Sequence, residues 1–253
     1  MPDSPRAWRT VLDRIESDLV AGRLQPGDRL PGERVLAAEL GVGRSSVREA
    51  LRVLDVMGLL TTATGSGPQS GAIIVARPGG GMSALMRLQA AAQGFDARDI
   101  VDTRITLESA VARTLAEHPT PALDDARLLL EAMTHPDTSR AQFLALDTRF
   151  HLALAEAAGN QVIVATMAGL RSAIEGYIGE RAAILPSWPR TSARLHAEHG
   201  AILDAIAAGD PDRAAALIAA HITGYYTETL PELDSAAAPV TPCGTSAAPE
   251  GEE

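Results

Sequence analysis

Apolar positions recur at three- and four-residue steps along most of this chain, the pattern of amphipathic helices. In residues 6–21, Val11, Leu12, Ile15 and Leu19 share one face, and Gly22 stands where a C-cap would. Pro26 and Gly27 predict a turn. A short helix over 33–40 follows, then a glycine turn at Gly41 and Gly43, then a second helix from Arg44. On that helix Val47, Leu51 and Leu54 point one way, while Arg44, Arg48 and Arg52 line another strip at four-residue steps. The period then changes: residues 59–64 and 72–75 predict two short strands around a glycine-rich loop, 65–71.

Residues 77–81, RPGGG, read as a flexible boundary, with the linker placed at 78–82. Beyond it the helical period resumes in seven stretches, about 83–93, 97–117, 121–134, 140–158, 160–182, 189–208 and 211–229. Asp96, Ser139 and Asp210 stand as N-caps, and Pro119, Pro136, Pro186, Pro189 and Pro211 punctuate the boundaries. From Pro231 to the end no apolar period remains, and the segment is expected to be disordered. The predicted organisation is a mostly α chain. Its first domain, 1–77, has three helices and a small β-hairpin; its second, 83–230, is an antiparallel bundle of about seven helices; 231–253 is a tail.

Composition sharpens this picture in two places. Hydrophobic residues make up 46% but aromatics only 3%, with alanine and leucine frequent, which suits helices. The net charge is −10, so any contact with nucleic acid must be local. Residues 1–77 carry ten arginines against nine acids, and the remainder twelve against 23, a near-neutral head on an acidic body. The single cysteine, Cys243, excludes a disulfide framework within one chain. With no signal-like segment and no run of 18 apolar residues, a cytoplasmic protein with no membrane partner is expected.

A helix, a tight turn and a second helix with basic residues at its start form a helix-turn-helix, whose second helix enters the major groove. By spacing alone the lesser alternative is a plain helical hairpin with a solvated arginine strip. The residues themselves, LPGER followed by the leucine-alanine run and then GVGRSSVREALRVLDVMGLL, resemble the winged-helix domain of the GntR family of bacterial transcription regulators over about 6–77. That resemblance implies that Arg34, Arg44 and Arg48 contact DNA. Ser45 and Ser46, at the helix start, are candidate phosphate contacts. The hairpin would be the wing, although its tip offers only Ser66, Gln69 and Ser70 where the family usually carries a basic or polar side chain.

In the second domain Asp147 and His151 lie one helical turn apart, a chelating geometry, and His199 and His221 lie on later helices. Singly, such histidines are more often hydrogen-bonded core or surface residues than ligands. LALDTRFHLALAEAAGN and AEHGAILDAIAAGDPDRAAALIAAH are similar to the FCD effector-binding domain of the FadR branch of GntR regulators, over about 83–229. The resemblance implies a metal held by Asp147, His151, His199 and His221. Zinc is the first expectation, with nickel, manganese or iron as alternatives. His196, three residues before His199, is an alternative ligand, while His118 and His135 precede prolines in loops and are expected to be solvated. Arg104 matches an arginine that the family turns to its ligand, suited to a small organic acid, although an ion pair with Glu108 is the simpler alternative. Asn160 is expected first to cap the next helix, with pocket lining the second choice.

The expectation is a regulator rather than an enzyme, most often a repressor in this family. It would bind a palindromic operator as a homodimer and respond to a carboxylate metabolite. The alternative is a metal-dependent hydrolase or isomerase acting on a small organic acid.

Overall fold

The computed structural model describes residues 7–63, 71–75, 78–92, 94–182, 185 and 187–229. The first domain comprises α1 (Ala7–Val20), α2 (Glu33–Leu40), α3 (Arg44–Val56), β1 (Leu60–Ala63) and β2 (Gly71–Ile74). Its core joins Val11 and Ile15 of α1 to Leu36 and Ala37 of α2 and to Val47, Ala50, Leu51 and Leu54 of α3. Gly41 ends α2 at φ 64°, a left-handed conformation that a Cβ would strain, and so turns the chain into α3. The strands pair antiparallel from Leu60↔Ile74 to Ala63↔Gly71, and Arg29 bridges Ile73 on the outer edge. Leu60, Ala72 and Ile74 close the core from that side. The tip of this wing, with Ser66, Gln69 and Ser70, lies outside the described residues.

The second domain contains α4 (Pro78–Ala91), α5 (Ala97–Glu117), α6 (Asp124–Ala132), α7 (Arg140–Ala157), α8 (Gln161–Ala182), α9 (Trp188–Ala207) and α10 (Pro211–Thr229). Residues 78–82, expected as a flexible linker, instead open α4. Proline costs nothing at a first helical position, where its missing N–H has no acceptor. Packing supports the rest: α4 lies along α8, where a Cβ on Gly169 would stand 3.1 Å from Met86 Cγ. The predicted caps form, since Asp96 accepts from the Arg98 N–H and Ser139 builds a capping box with Gln142. Asp210 Oδ1 accepts from Arg213 N. α6 is shorter than expected because Leu123 is drawn into the core, and the helix begins only at Asp124 and Asp125, whose charges favour its N-terminal dipole.

Leu115, Phe150, Ile174, Leu195, Ile202, Ile206, Ile218 and Ile222 fill the centre of the bundle, each burial contributing about 1.5–3 kcal/mol. Among them sit Arg104, Glu108, His151, Arg171, His199 and His221, all at most 5% exposed. Burying polar groups is costly unless they are paired or bound, so this island marks the site. Among the described residues no helix is long and apolar enough to cross a membrane.

Candidate functional sites

Four side chains from three helices form the centre of the polar island. α7 presents Asp147 and His151 one turn apart, α9 presents His199 and α10 His221, and one potential ligand atom from each lies within 4.8 Å of the others. Asp147 Oδ1 is the common neighbour, 3.1 Å from His199 Nε2 and 3.8 Å from His151 Nε2. Neither of those ring nitrogens makes a hydrogen bond, although both are buried. His221 is oriented from behind by Glu198, whose Oε2 lies 2.8 Å from Nδ1, and Arg194 in turn holds Glu198 and Glu228. Burial, then the nearby Arg171 charge, pushes the His151 pKa down to about 3, and burial lowers that of His199 too. Neutral imidazoles beside a carboxylate form a donor set suited to a divalent cation.

Behind this cluster lies Glu108, 1% exposed. Its Oε1 accepts from Arg104 Nε at 2.8 Å, and its Oε2 from Arg171 Nη2 at 3.1 Å. Oε2 also lies 2.7 Å from His151 Nδ1, off the direction of a ring N–H hydrogen bond. Burial opposes the charge on Glu108, but Arg104, Arg171 and His151 outweigh it and hold the carboxyl well below the usual range. Arg171 Nη1 reaches Asp147 Oδ2 at 3.2 Å, which ties the two acids together. Asp147 is likewise held well below the usual range: burial opposes its charge, and His199, His151 and Arg171 favour it.

A cavity of about 300 Å³ opens on this assembly, with Arg104, Asp147, Arg171, His221, Tyr225 and Tyr226 among its walls. Arg104 donates to the Tyr226 hydroxyl, and its guanidinium lies 5.4 Å from the centre of that ring. Arg104 thus forms the ion pair with Glu108 named as the alternative, and it also lines the cavity. Arg171 Nε and the Tyr225 hydroxyl are buried without hydrogen-bond partners.

In the first domain Arg34, Arg44, Ser45, Arg48 and Arg52 lie at the surface, none of them buried. Ser46 is not among them: at 2% exposure it faces the core beside Val47, so the expected phosphate contact is corrected to a packing role. Two consecutive helical positions sit 100° apart, and α3 is inserted deeply enough to bury both. Asn160 takes the capping role expected first, and only its alternative as an effector contact is corrected. Its Oδ1 caps α8 by accepting from Val162 N and Ile163 N, its side chain is exposed, and it does not line the cavity. His196 stands outside the ligand cluster, and His118 and His135 are exposed. Sequence reasoning missed Arg171, Tyr225 and Tyr226; a lone arginine in the apolar stretch of α8 was the one available signal.

A winged helix-turn-helix with an arginine strip, joined to a helical bundle that encloses a polar cavity, defines a DNA-binding regulator. Residues 8–68 match the pattern described as "Bacterial regulatory proteins, gntR family", and residues 99–224 match that of the FCD domain. The HTH-type transcriptional regulator LutR of Bacillus subtilis (strain 168) is 32% identical over 218 residues, covering 83% of this chain and 98% of that protein. The HTH-type transcriptional repressor NanR of Escherichia coli (strain K12) is 32% identical over 225 residues, covering 84% and 80%. The solved structure of Streptococcus agalactiae GntR aligns with TM-score 0.54 and 26% identity over 86% of this chain and 98% of that one. This chain belongs to the GntR family and is a DNA-binding transcription regulator with an FCD domain. These relatives are regulators, which leaves the enzyme alternative without support.

Proposed function

We propose that this regulator binds a palindromic operator as a homodimer. Its control would come from a small carboxylate held in the FCD cavity beside a divalent metal on Asp147, His151, His199 and His221. The observation that carries the reading is the double membership of Asp147, which belongs both to the ligand cluster and to the wall shared with Arg104 and Arg171. Bound there, the metal would supply a Lewis-acidic point charge for one oxygen of the acid. The unpartnered nitrogens of His151 and His199 are what such an ion satisfies, and zinc, nickel, manganese and iron all accept this donor set.

Charge argues for an anionic ligand. Arg104 and Arg171 are balanced by Asp147 and Glu108, Glu175 on the cavity wall adds one negative charge, and an imidazole binds a metal in its neutral form, so a divalent ion leaves the site with one excess positive charge. In a largely buried site that excess favours a carboxylate, which a guanidinium can bind in bidentate fashion. The acid would act by its differential affinity for two placements of the DNA-binding heads. Arg34, Arg44, Ser45 and Arg48 would form the contact face on DNA, Arg44 and Arg48 from the recognition helix α3.

A thermal-shift scan against sugar acids, hydroxy acids and dicarboxylates, with and without chelator, tests this reading. Stabilisation by one acid that disappears with chelator and in Asp147→Ala is the expected result. Stabilisation that survives both, or a melting point that responds to neither acid nor chelator, would overturn it.

A further inference from the structure

Arg48 and Glu33 meet across the turn between α2 and α3. Arg48 Nε donates to Glu33 Oε1 at 3.2 Å and Nη2 donates to Oε2 at 2.8 Å, a side-on bidentate pair. Both side chains remain open to solvent, 55% and 37% exposed. Glu33 is the first residue of α2, where the helix dipole favours a carboxylate, so it is a firm anchor.

A guanidinium has two edges that can serve a bidentate partner. The side-on edge is occupied by Glu33, which leaves the end-on edge, Nη1–H with the second Nη2–H, outside the pair. That edge matches O6 and N7 of guanine. The same carboxylate cancels most of the charge that a phosphate would see. The pair therefore weakens Arg48 as a phosphate neutraliser and stiffens it as a base reader.

We infer that Glu33 is a specificity-determining residue of this regulator: it buttresses Arg48, presents its free edge to a guanine in the operator and suppresses indiscriminate binding to the backbone. This rests on Arg48 facing DNA, as proposed above. Glu33 itself touches no DNA in this scheme and acts through Arg48 as a positioning residue.

The test uses the full chain. Selection from a random duplex library by the wild type defines the preferred site and its guanines. Binding to that duplex, to the same duplex with each guanine replaced in turn, and to a scrambled duplex is then measured over a range of salt for wild type, Glu33→Gln, Glu33→Asp and Arg48→Ala. For Glu33→Gln the expected results are a loss of discrimination at one guanine per half-site of about tenfold, tighter binding of the scrambled duplex, and a salt slope steeper by about one. Glu33→Asp keeps the charge but shortens the reach, so it should hold scrambled-duplex binding near wild type while losing part of the discrimination. Unchanged discrimination in Glu33→Gln, or weaker binding of the scrambled duplex, overturns the inference. If Arg48→Ala behaves as wild type on every duplex, the DNA-contact reading of Arg48 fails and this inference with it. If Arg48→Ala loses affinity while Glu33→Gln keeps the wild-type ratio, this inference alone fails. Melting curves of each variant separate these outcomes from misfolding.

Discussion

Glu108 on α5 and Arg171 on α8, 63 positions apart, meet in the bundle core with Nη2 at 3.1 Å from Oε2. Glu108 also takes Arg104, and Arg171 also takes Asp147, so the pair joins the candidate ligand cluster to the cavity wall. Two buried arginines depend on that carboxylate.

Glu108→Ala leaves Arg104 and Arg171 buried without their shared partner, and it should cost about 3–5 kcal/mol of stability. Urea unfolding of the full chain measures it. A loss below about 1 kcal/mol, the range of exposed pairs, would mean that Glu108 does not hold the two arginines in place.

Metal affinity should depend on Glu198, although it is no ligand in the proposed site. Its Oε2 at 2.8 Å from His221 Nδ1 fixes the ring, so Glu198→Ala should weaken zinc binding about 10–100-fold. Calorimetric titration reads this directly. Glu228→Ala, which removes a partner of Arg194 one step further out, should bind zinc nearly as wild type does.

Stability in chelator should fall as the pH is lowered from neutral. The His151 pKa lies at about 3 in the folded chain against an ordinary 6.5, and that of His199 is lowered as well. Between those values the unfolded chain binds protons that the folded chain refuses. The stabilisation is therefore complete above about pH 6.5 and declines toward acid, by at most about 1.4 kcal/mol per pH unit for each proton. Asp147 and Glu108, held well below the carboxylate range, extend the decline in the same direction once the pH drops under about 4. Denaturant midpoints taken stepwise into acid test the sign; a flat profile from about pH 6.5 to 5 would speak against it.

On DNA, Arg44→Ala should weaken operator binding and reduce its salt slope by about one, if Arg44 neutralises one phosphate. Ser46→Ala should leave both unchanged, because Ser46 is buried at 2% exposure. Fluorescence anisotropy at several salt concentrations separates the two, and a DNA-binding defect in Ser46→Ala without loss of stability would reverse the assignment.

The helices were legible in the sequence because their signals are local. The caps at Asp96, Ser139 and Asp210 and the turn at Gly41 are set by backbone groups within a few residues, and each appears where the spacing placed it. The candidate ligands were legible for a different reason: Asp147 and His151 are one turn apart on a single helix, and the FCD resemblance supplied His199 and His221. The wing tip and the segment 231–253 lie outside the described residues.

By itself the sequence determined the helical class, the two-part organisation, the arginine strip and the Asp147/His151 pair, while the family resemblance added His199 and His221. Tertiary structure alone decided which polar residues face one another. Arg171 reads as an interruption of an apolar run until α8 is laid against α5 and α7, where it pairs with Glu108 and Asp147. Ser46 and Asn160 both sit at helix starts that suit anions or pockets, yet depth of packing buries one and exposes the other. Periodicity fixes the direction of a side chain around its own helix, but burial and partnership depend on how far neighbouring helices approach, and no local pattern encodes that distance.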